Sequence, residues 1–195
     1  MKIDKALKKQ RRYNKIFFIF MIFLSIFLPI ITYLSYVKSI FILVFLILIE
    51  ILIFIAIIIK FNNCILKFRF INSKLKFKSG IFSSYSFIQC DKVAIVHTNK
   101  SNEEMEIIIV TSTKSKNKKL KLINKDFIKR YPEAGDEYLK LKKISPEKVY
   151  YFQVVNNGEL NKYIFLDNIY KICVNASYTS SAIENIKIAR GQKEI

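Results

Sequence analysis

The chain has no tryptophan, a single histidine, three cysteines, three prolines and four glycines among 195 residues. Each shortage closes off a class of chemistry. Gly80, Gly135, Gly158 and Gly191 lie too far apart to form a phosphate-cradling loop or a dinucleotide fingerprint. His97 is the only histidine and falls at the end of a strand, which leaves zinc peptidase and histidine-relay arrangements unsupported. Cys64, Cys90 and Cys173 lack the paired spacings of a zinc ligand set or a disulfide framework, which favours a reducing compartment. Cys90 has no base near it in sequence except His97, so a buried structural cysteine is expected there. Acids are scarce too, with 15 Asp and Glu against 33 Lys and Arg. Those at Glu103-Glu104 and at Glu133, Asp136 and Glu137 fit turns and helix N-termini. No enzyme, cofactor or metal site is expected.

The basic excess is mostly lysine, because only Arg11, Arg12, Arg69, Arg130 and Arg190 are arginines. Together with abundant Ile, Asn and Phe, this matches the A/T-rich coding habit of a low-GC bacterium. Nucleic-acid recognition recruits arginine forks on a definable module, and the chain has none, so no nucleic-acid partner is expected.

Long hydrophobic runs, by contrast, are plentiful. Between Ile16 and Ile59 the only ionisable side chains are Lys38, Glu50, Tyr33 and Tyr36. The two apolar runs, 16–35 and 40–59, would each make roughly 30 Å of helix, the thickness of a bilayer's hydrocarbon core. A signal peptide would have a shorter run and small residues at its end, whereas the first run ends in "ITYLSYVK". Lys2, Lys5, Lys8, Lys9, Arg11, Arg12 and Lys15 precede the first run, Lys38 alone marks the tip, and Lys60, Lys67 and Arg69 follow the second. By the positive-inside rule, both termini then face the cytoplasm from the inner, or cytoplasmic, membrane. The expected division is a basic cytoplasmic N-terminus at 1–15, a transmembrane hairpin at 16–60, a β-rich domain with a capping helix at 61–143, and a strand plus helical extension at 144–195.

Glu50 falls in the middle of the second run, where a charge is costly and is usually paired, neutral or functional. With the tip between Val37 and Lys38, residues whose numbers sum to 75 lie at equal depth, so Glu50 is level with Ser25. Pro29 has no N–H and leaves the Ser25 carbonyl unpaired in a helix. A polar clip of Glu50, Ser25 and Pro29 is therefore expected, with a neutral Glu50 donating to the Ser25 carbonyl or hydroxyl. The alternatives are a partner helix or an ion path.

After Lys60 the pattern becomes short β-like segments: 64–71, 74–79, 86–98, 104–113 and 118–123. Asn72-Ser73, Gly80 and "NKSN" at 99–102 supply the breaks, which implies a small antiparallel sheet. A helix capped by Asn124 and ending before Pro132 should follow, then a helical stretch over 133–143, a strand over 148–155 and an "NNG" turn. Two helices should complete the tail, the second opening at Thr179 and presenting Ala182, Ile183, Ile186 and Ala189 on one face. A turn at Asn72-Ser73 sets Arg69 opposite Lys76 and Lys67 opposite Lys78, with Phe68 opposite Phe77 and Phe70 opposite Leu75. Two readings of this basic face stand side by side. It either meets anionic lipid headgroups, where each cation can contribute about 1 kcal/mol, or is solvated and paired with Glu104 and Glu106. Cys64 could accept an acyl chain or simply sit inert at the interface.

Two N-proximal apolar helices followed by "LKFRFINSKLKFKSGIFSSYSFIQCDKVAIV" (66–96) resemble the bacterial membrane proteins with a pleckstrin-homology-like domain. Leu75, Gly80, Asp91, Lys92 and Val93 are the matching positions. The resemblance implies a small antiparallel barrel capped by a helix, with Phe127 and Ile128 on the cap's buried face. No matching ligand set is visible, so a phosphoinositide ligand is not implied. The expected fold class is thus an α+β membrane protein: a transmembrane hairpin, then a small antiparallel sheet or PH-like barrel with C-terminal helices. The expected role is non-enzymatic, presenting this module to anionic lipids through Lys67, Arg69, Lys76 and Lys78, or to an unidentified membrane or cytoplasmic protein. The alternative is a subunit of a transport or export complex working through the hairpin and Glu50.

Overall fold

The structure, a computed structural model, describes residues 2–35, 39–71, 73–101, 104–114 and 119–194, apart from the side chains of Ser101 and Glu104. Expectations placed on Tyr36, Val37 and Lys38 at the tip, and on Asn72, Asn102, Glu103 and Lys118, lie outside the described residues.

Two helices, α1 (Ile3–Leu34) and α2 (Ile40–Cys64), form an antiparallel hairpin. Each is long and apolar enough to cross a membrane, and the apolar stretch of each is left uncovered by the rest of the chain. Helix α1 starts at Ile3, ahead of its apolar run, with Asp4 in the first turn and no glycine to interrupt it. Its first turns are amphipathic in use: Ile3, Ala6 and Leu7 are buried against the globular part.

The remainder runs β1 (Leu66–Ile71), β2 (Lys74–Ser79), β3 (Ser86–Gln89), a 3₁₀ turn (Cys90–Lys92), β4 (Val93–Ser101), β5 (Glu104–Thr111), β6 (Lys121–Leu122), α3 (Lys125–Arg130), α4 (Pro132–Ile144), β7 (Tyr151–Val155), α5 (Asn161–Ile172), β8 (Ser177–Tyr178) and α6 (Ser180–Ala189). The fold is α+β, as expected, but the strands make two open sheets and no closed barrel. The first has the order β1-β2-β3 and the second β6-β7-β5-β4-β8. The break falls where a single strand over 86–98 was expected. The 3₁₀ turn at Cys90–Lys92 ends the ladder to β2, and β4 leaves to pair with β5. The strand after Ile144, β7, lies between β6 and β5, and β8 joins β4 in parallel.

Asn124 caps α3 by accepting from the Phe127 N–H at 3.0 Å, and Thr179 caps α6 by accepting from Ala182 N–H. Pro132 opens α4, where its missing N–H costs nothing. On α6, Ala182, Asn185, Ile186 and Ile188 are buried, while Ile183 turns outward and is 42% exposed.

The second sheet is covered on both faces. One face (Val96, Met105, Ile107, Ile109, Val155) packs on Leu75, Phe77 and Ile88 of the first sheet, on Phe165, Leu166 and Ile169 of α5, and on Ile3 and Leu7. The other (Ile95, Ile108, Val110) packs on Phe127, Tyr131 and Ala134, with Ile128 beside them. A disulfide joins Cys90 to Cys173 within the first of these cores, with Cα atoms 4.6 Å apart. This corrects the reading of three unpaired cysteines. The partners are 83 residues apart, so no local spacing marks them.

Candidate interaction surface

The first sheet is buried on one face only. Lys67, Arg69 and Ile71 of β1 point outward, as do Lys74, Lys76 and Lys78 of β2 and Phe87 of β3, while Leu75, Phe77, Ser86 and Ile88 point in. The register is the expected one: Lys67 faces Lys78, Arg69 faces Lys76, Phe68 faces Phe77 and Phe70 faces Leu75. Ser73 takes a positive φ of 59° at the turn. Like charges directly opposite each other disfavour a pair by roughly 0.2–1 kcal/mol. The sheet tolerates this because the inner face packs Phe68 and Phe77 on Phe165, with ring centroids 5.1 and 5.3 Å away.

Among the described residues no carboxylate pairs with Lys67, Arg69, Lys76 or Lys78. The Lys76 ammonium lies over Tyr85 (4.4 Å) and Phe87 (5.3 Å), and Lys78 lies 5.9 Å from the Tyr85 ring. Lys67, Phe68, Arg69, Ile71, Lys76 and Tyr85 line a depression of about 310 Å³. Burial lowers the pKa of the neighbouring Lys119, and the like charge of Lys78 lowers it further. Of the two acids expected to pair with this face, the Glu104 side chain lies outside the described residues and Glu106 is elsewhere. It is 6% exposed in the second sheet and accepts from Tyr131 Oη at 3.2 Å and Arg130 Nη2 at 3.5 Å. Burial, followed by the nearby Glu106 charge, pushes the Tyr131 phenol up to about 12. The described acids thus leave the basic face unpaired.

Its position is set by the helix ends. Gly80 N–H donates to the Ile65 carbonyl at 2.9 Å, and Ile81 N–H to Asn62 Oδ1 at 2.8 Å, which ties the end of β2 to the end of α2. Gly80 has φ +89°, and a Cβ there would meet Asn62 Oδ1 at 2.5 Å, so only glycine fits. A second tie comes from the turn after β7. Gly158 N–H donates to the Asn63 carbonyl at 2.7 Å. Beside it Glu159, at φ 45°, accepts from Lys60 Nζ at 2.6 Å, from Asn14 Nδ2 at 2.8 Å, and from Gln10. Burial alone would raise the Glu159 carboxyl. The hydrogen bonds from Lys60 and Asn14 and the Lys60 charge outweigh it, so its pKa lies below the ordinary value. Nothing in the sequence near "NNGEL" marks Glu159 as the residue that joins both helices to the globular part.

Glu50 and Ser25 do meet, but with the direction reversed from the one expected: Ser25 Oγ donates and Glu50 Oε2 accepts, at 2.7 Å. Pro29 lies one turn further along α1. Among the described residues Glu50 Oε1 has no partner. Cys64 rests against Asn14 Nδ2 at 3.3 Å.

A histidine cluster forms a separate polar site. His97 Nδ1 lies 3.0 Å from Thr179 Oγ1, 3.1 Å from Ser181 Oγ and 3.8 Å from Glu133 Oε2. A Ser-His-acid relay needs the hydroxyl and the acid on opposite ring nitrogens, and here one nitrogen faces all three. The cluster instead fastens α6 to β4, since Ser181 Oγ also donates to the Thr98 carbonyl at 2.8 Å. His97, Cys64 and the Cys90–Cys173 pair occupy three separate places. A cleft of about 630 Å³ beside α3 has Lys119, Lys121 and Arg130 on its walls, but Asp126 shares the lining and Arg130 already meets Glu106. Comparison of the chain with family models, with curated proteins and with solved structures gives no match.

Proposed function

We propose that the chain is an integral protein of the inner membrane, anchored by the α1–α2 hairpin with both termini inside. Its first sheet binds anionic lipid headgroups through Lys67, Arg69, Lys76 and Lys78, and it carries out no catalysis. The observation that carries this reading is a four-cation face without a described carboxylate, beginning two residues after an apolar helix ends. At such a position each Lys or Arg is worth about 1 kcal/mol against an anionic leaflet, falling off within roughly a Debye length of 8–10 Å. The lysine-rich flanks support interior placement of the domain. A disulfide is uncommon in that compartment. Both sulfurs are in residues 1% exposed, which keeps soluble thiols away until the core opens. The segment 66–96 supports kinship with the PH-like bacterial membrane proteins, with open sheets in place of their barrel.

The full chain is the right object for a test. A fragment starting at Phe61 would lose Ile3 and Leu7 from its core, and Glu159 would lose Asn14 and Lys60. Full-length protein in a nonionic detergent is offered phosphatidylglycerol and phosphatidylcholine, and retained lipid is counted by native mass spectrometry. Wild type should keep phosphatidylglycerol in a salt-sensitive way, and the Lys67, Arg69, Lys76 and Lys78→Gln variant should not. Equal retention by a folded variant overturns the reading. The unpartnered Glu50 Oε1 supports a second reading, a partner helix at that level. Loss of a membrane cross-link in Glu50→Gln would favour it.

A further inference from the structure

Resting on that reading, we infer that the loop after β2 is a membrane-contacting element: Phe82 enters the headgroup layer of the leaflet that holds α2, so the basic face binds lipid in cis. The partner is the chain's own bilayer, and the charges nearest α2 contribute most.

The levels follow from the hydrogen bonds. If the hydrocarbon ends at Ile59, the last apolar residue before Lys60, then Asn62 lies about 4.5 Å beyond it along the helix. The headgroup layer is roughly 5–7 Å thick on each side, so Asn62 lies inside it. Glu159 marks the same level on the other helix. It binds both Asn14, two residues before the first apolar run begins, and Lys60, the residue after the second run ends. Ile81 N–H is fixed to Asn62 Oδ1, so Phe82, the next residue, is held at headgroup depth with 82% of its surface exposed.

A single exposed apolar residue is ordinary. Here, however, Phe61 and Tyr85 are each 48% exposed and Phe87 42%, in the same stretch of helix end, loop and strand. Aromatic rings with basic residues around them are the side chains that settle at a bilayer interface. The rungs of the sheet then fall in order. Lys67 and Lys78 come first, and Arg69 and Lys76 lie about 7 Å further along the strands. That step is close to a Debye length, so it separates strong contributors from weak ones.

The absence of native tryptophan makes the test direct. Full-length Phe82→Trp is placed in nanodiscs whose lipids carry bromine high on the acyl chains, in neutral and in phosphatidylglycerol-containing bilayers. Val174→Trp is the control. It is 74% exposed and follows Cys173, which is bonded to Cys90 beside the β1–β2 turn, about 17 Å of strand away from Asn62. Emission from the indole at position 82 should be blue-shifted and quenched severalfold more than emission from the control, most in the anionic discs. Quenching no greater than the control's overturns the inference. As a second readout, the Lys67→Gln, Lys78→Gln pair should lose about tenfold in phosphatidylglycerol retention and the Arg69→Gln, Lys76→Gln pair about threefold. An inverted order places the contact on a surface facing away from the anchor and also overturns it. The two readings fail separately. If the indole at position 82 stays in water while the four-residue variant still loses phosphatidylglycerol, only the cis insertion is wrong. If that indole is quenched while the four-residue variant retains lipid fully, the loop docks but the basic face has another use.

Discussion

The two sheets of this chain are written in different alphabets. In the first, "KFRFI" and "KLKFK" alternate strictly, whereas the second contains "AIV" and "IIIV" without interruption. The difference reflects coverage. Helices α3 and α4 lie on one face of the second sheet, with the first sheet, α5 and the start of α1 on the other, so both sets of alternate residues must be apolar. Among the described residues no helix or second sheet covers the outer face of the first sheet, where only Tyr85 leans on Lys76 and Lys78, and its alternate residues are mostly charged. The acids show the same contrast. Glu106, on the covered sheet, is answered by Tyr131 and Arg130, while the cations of the open sheet have no described carboxylate opposite them. An open cationic face beside an apolar helix is the feature on which the proposed lipid contact rests.

The largest test of this contrast is to remove an aromatic from each face of the open sheet. Phe77→Ala, at 0% exposure, should cost about 3–5 kcal/mol and leave little folded protein. Phe87→Ala, on the outer face of the same sheet and 42% exposed, should cost well under 1 kcal/mol. Chemical unfolding in detergent measures both, and similar costs would mean that the outer face is covered in the native protein.

Next in size is Glu159→Ala, which separates the place of the first sheet from its composition. Lys60, Asn14 and Gln10 lose their shared acceptor, at about 2 kcal/mol. Hydrogen exchange should quicken around Gln10, Asn14 and Asn62 and stay slow in β4 and β5. Uniform loss of protection would mean that the hairpin and the domain unfold as one unit. Smaller again is Tyr131→Phe, which takes one donor from the buried Glu106 and should cost about 1 kcal/mol, with faster exchange confined to the α3–α4 side of the second sheet.

Features written in neighbouring residues were legible in advance. The β1–β2 register followed from a two-residue turn between alternating strands, the Asn124 and Thr179 caps from residue type, and the Ser25–Glu50 contact from equal depth in a hairpin. Features made by distant segments were not. No local rule links Cys90 to Cys173, or Ile3 and Leu7 to Phe77, or Glu159 to Lys60. The ladder's end at Cys90 was hidden because a strand that changes sheets keeps its β composition throughout. At the candidate surface the cations and their order could be read from sequence, but not the removal of Glu106, one of the two acids expected to pair with them, to another layer.

A weaker effect, confined to low pH, separates the polar pins of the second sheet from the charges of the first. Burial holds the His97 imidazole below its ordinary value of 6.5, with Glu133 opposing more weakly. The fold prefers neutral His97, so its contribution is intact above pH 6.5 and is lost as pH falls through the lower folded-state value. His97→Gln should flatten this part of the stability curve. His97 lies on the second sheet, away from the basic face, so lipid retention should not follow the same curve.

The smallest change in stability attacks the contrast itself. Lys76→Glu gives the open sheet the carboxylate it lacks, opposite Arg69 and next to the Lys67–Lys78 rung on the same face. Replacing a like-charged cross-strand pair by an opposite-charged one should stabilise the hairpin by roughly 0.2–1 kcal/mol. The same change takes two units of charge off the face, removing one cation and neutralising another. Stability and lipid retention should therefore move in opposite directions, with a slightly higher unfolding midpoint and a loss of phosphatidylglycerol larger than that of Lys76→Gln. If both rise or both fall, the charges are tuned to the fold alone. Opposite movement means that the first sheet keeps an unfavourable arrangement because a ligand outside the chain completes it.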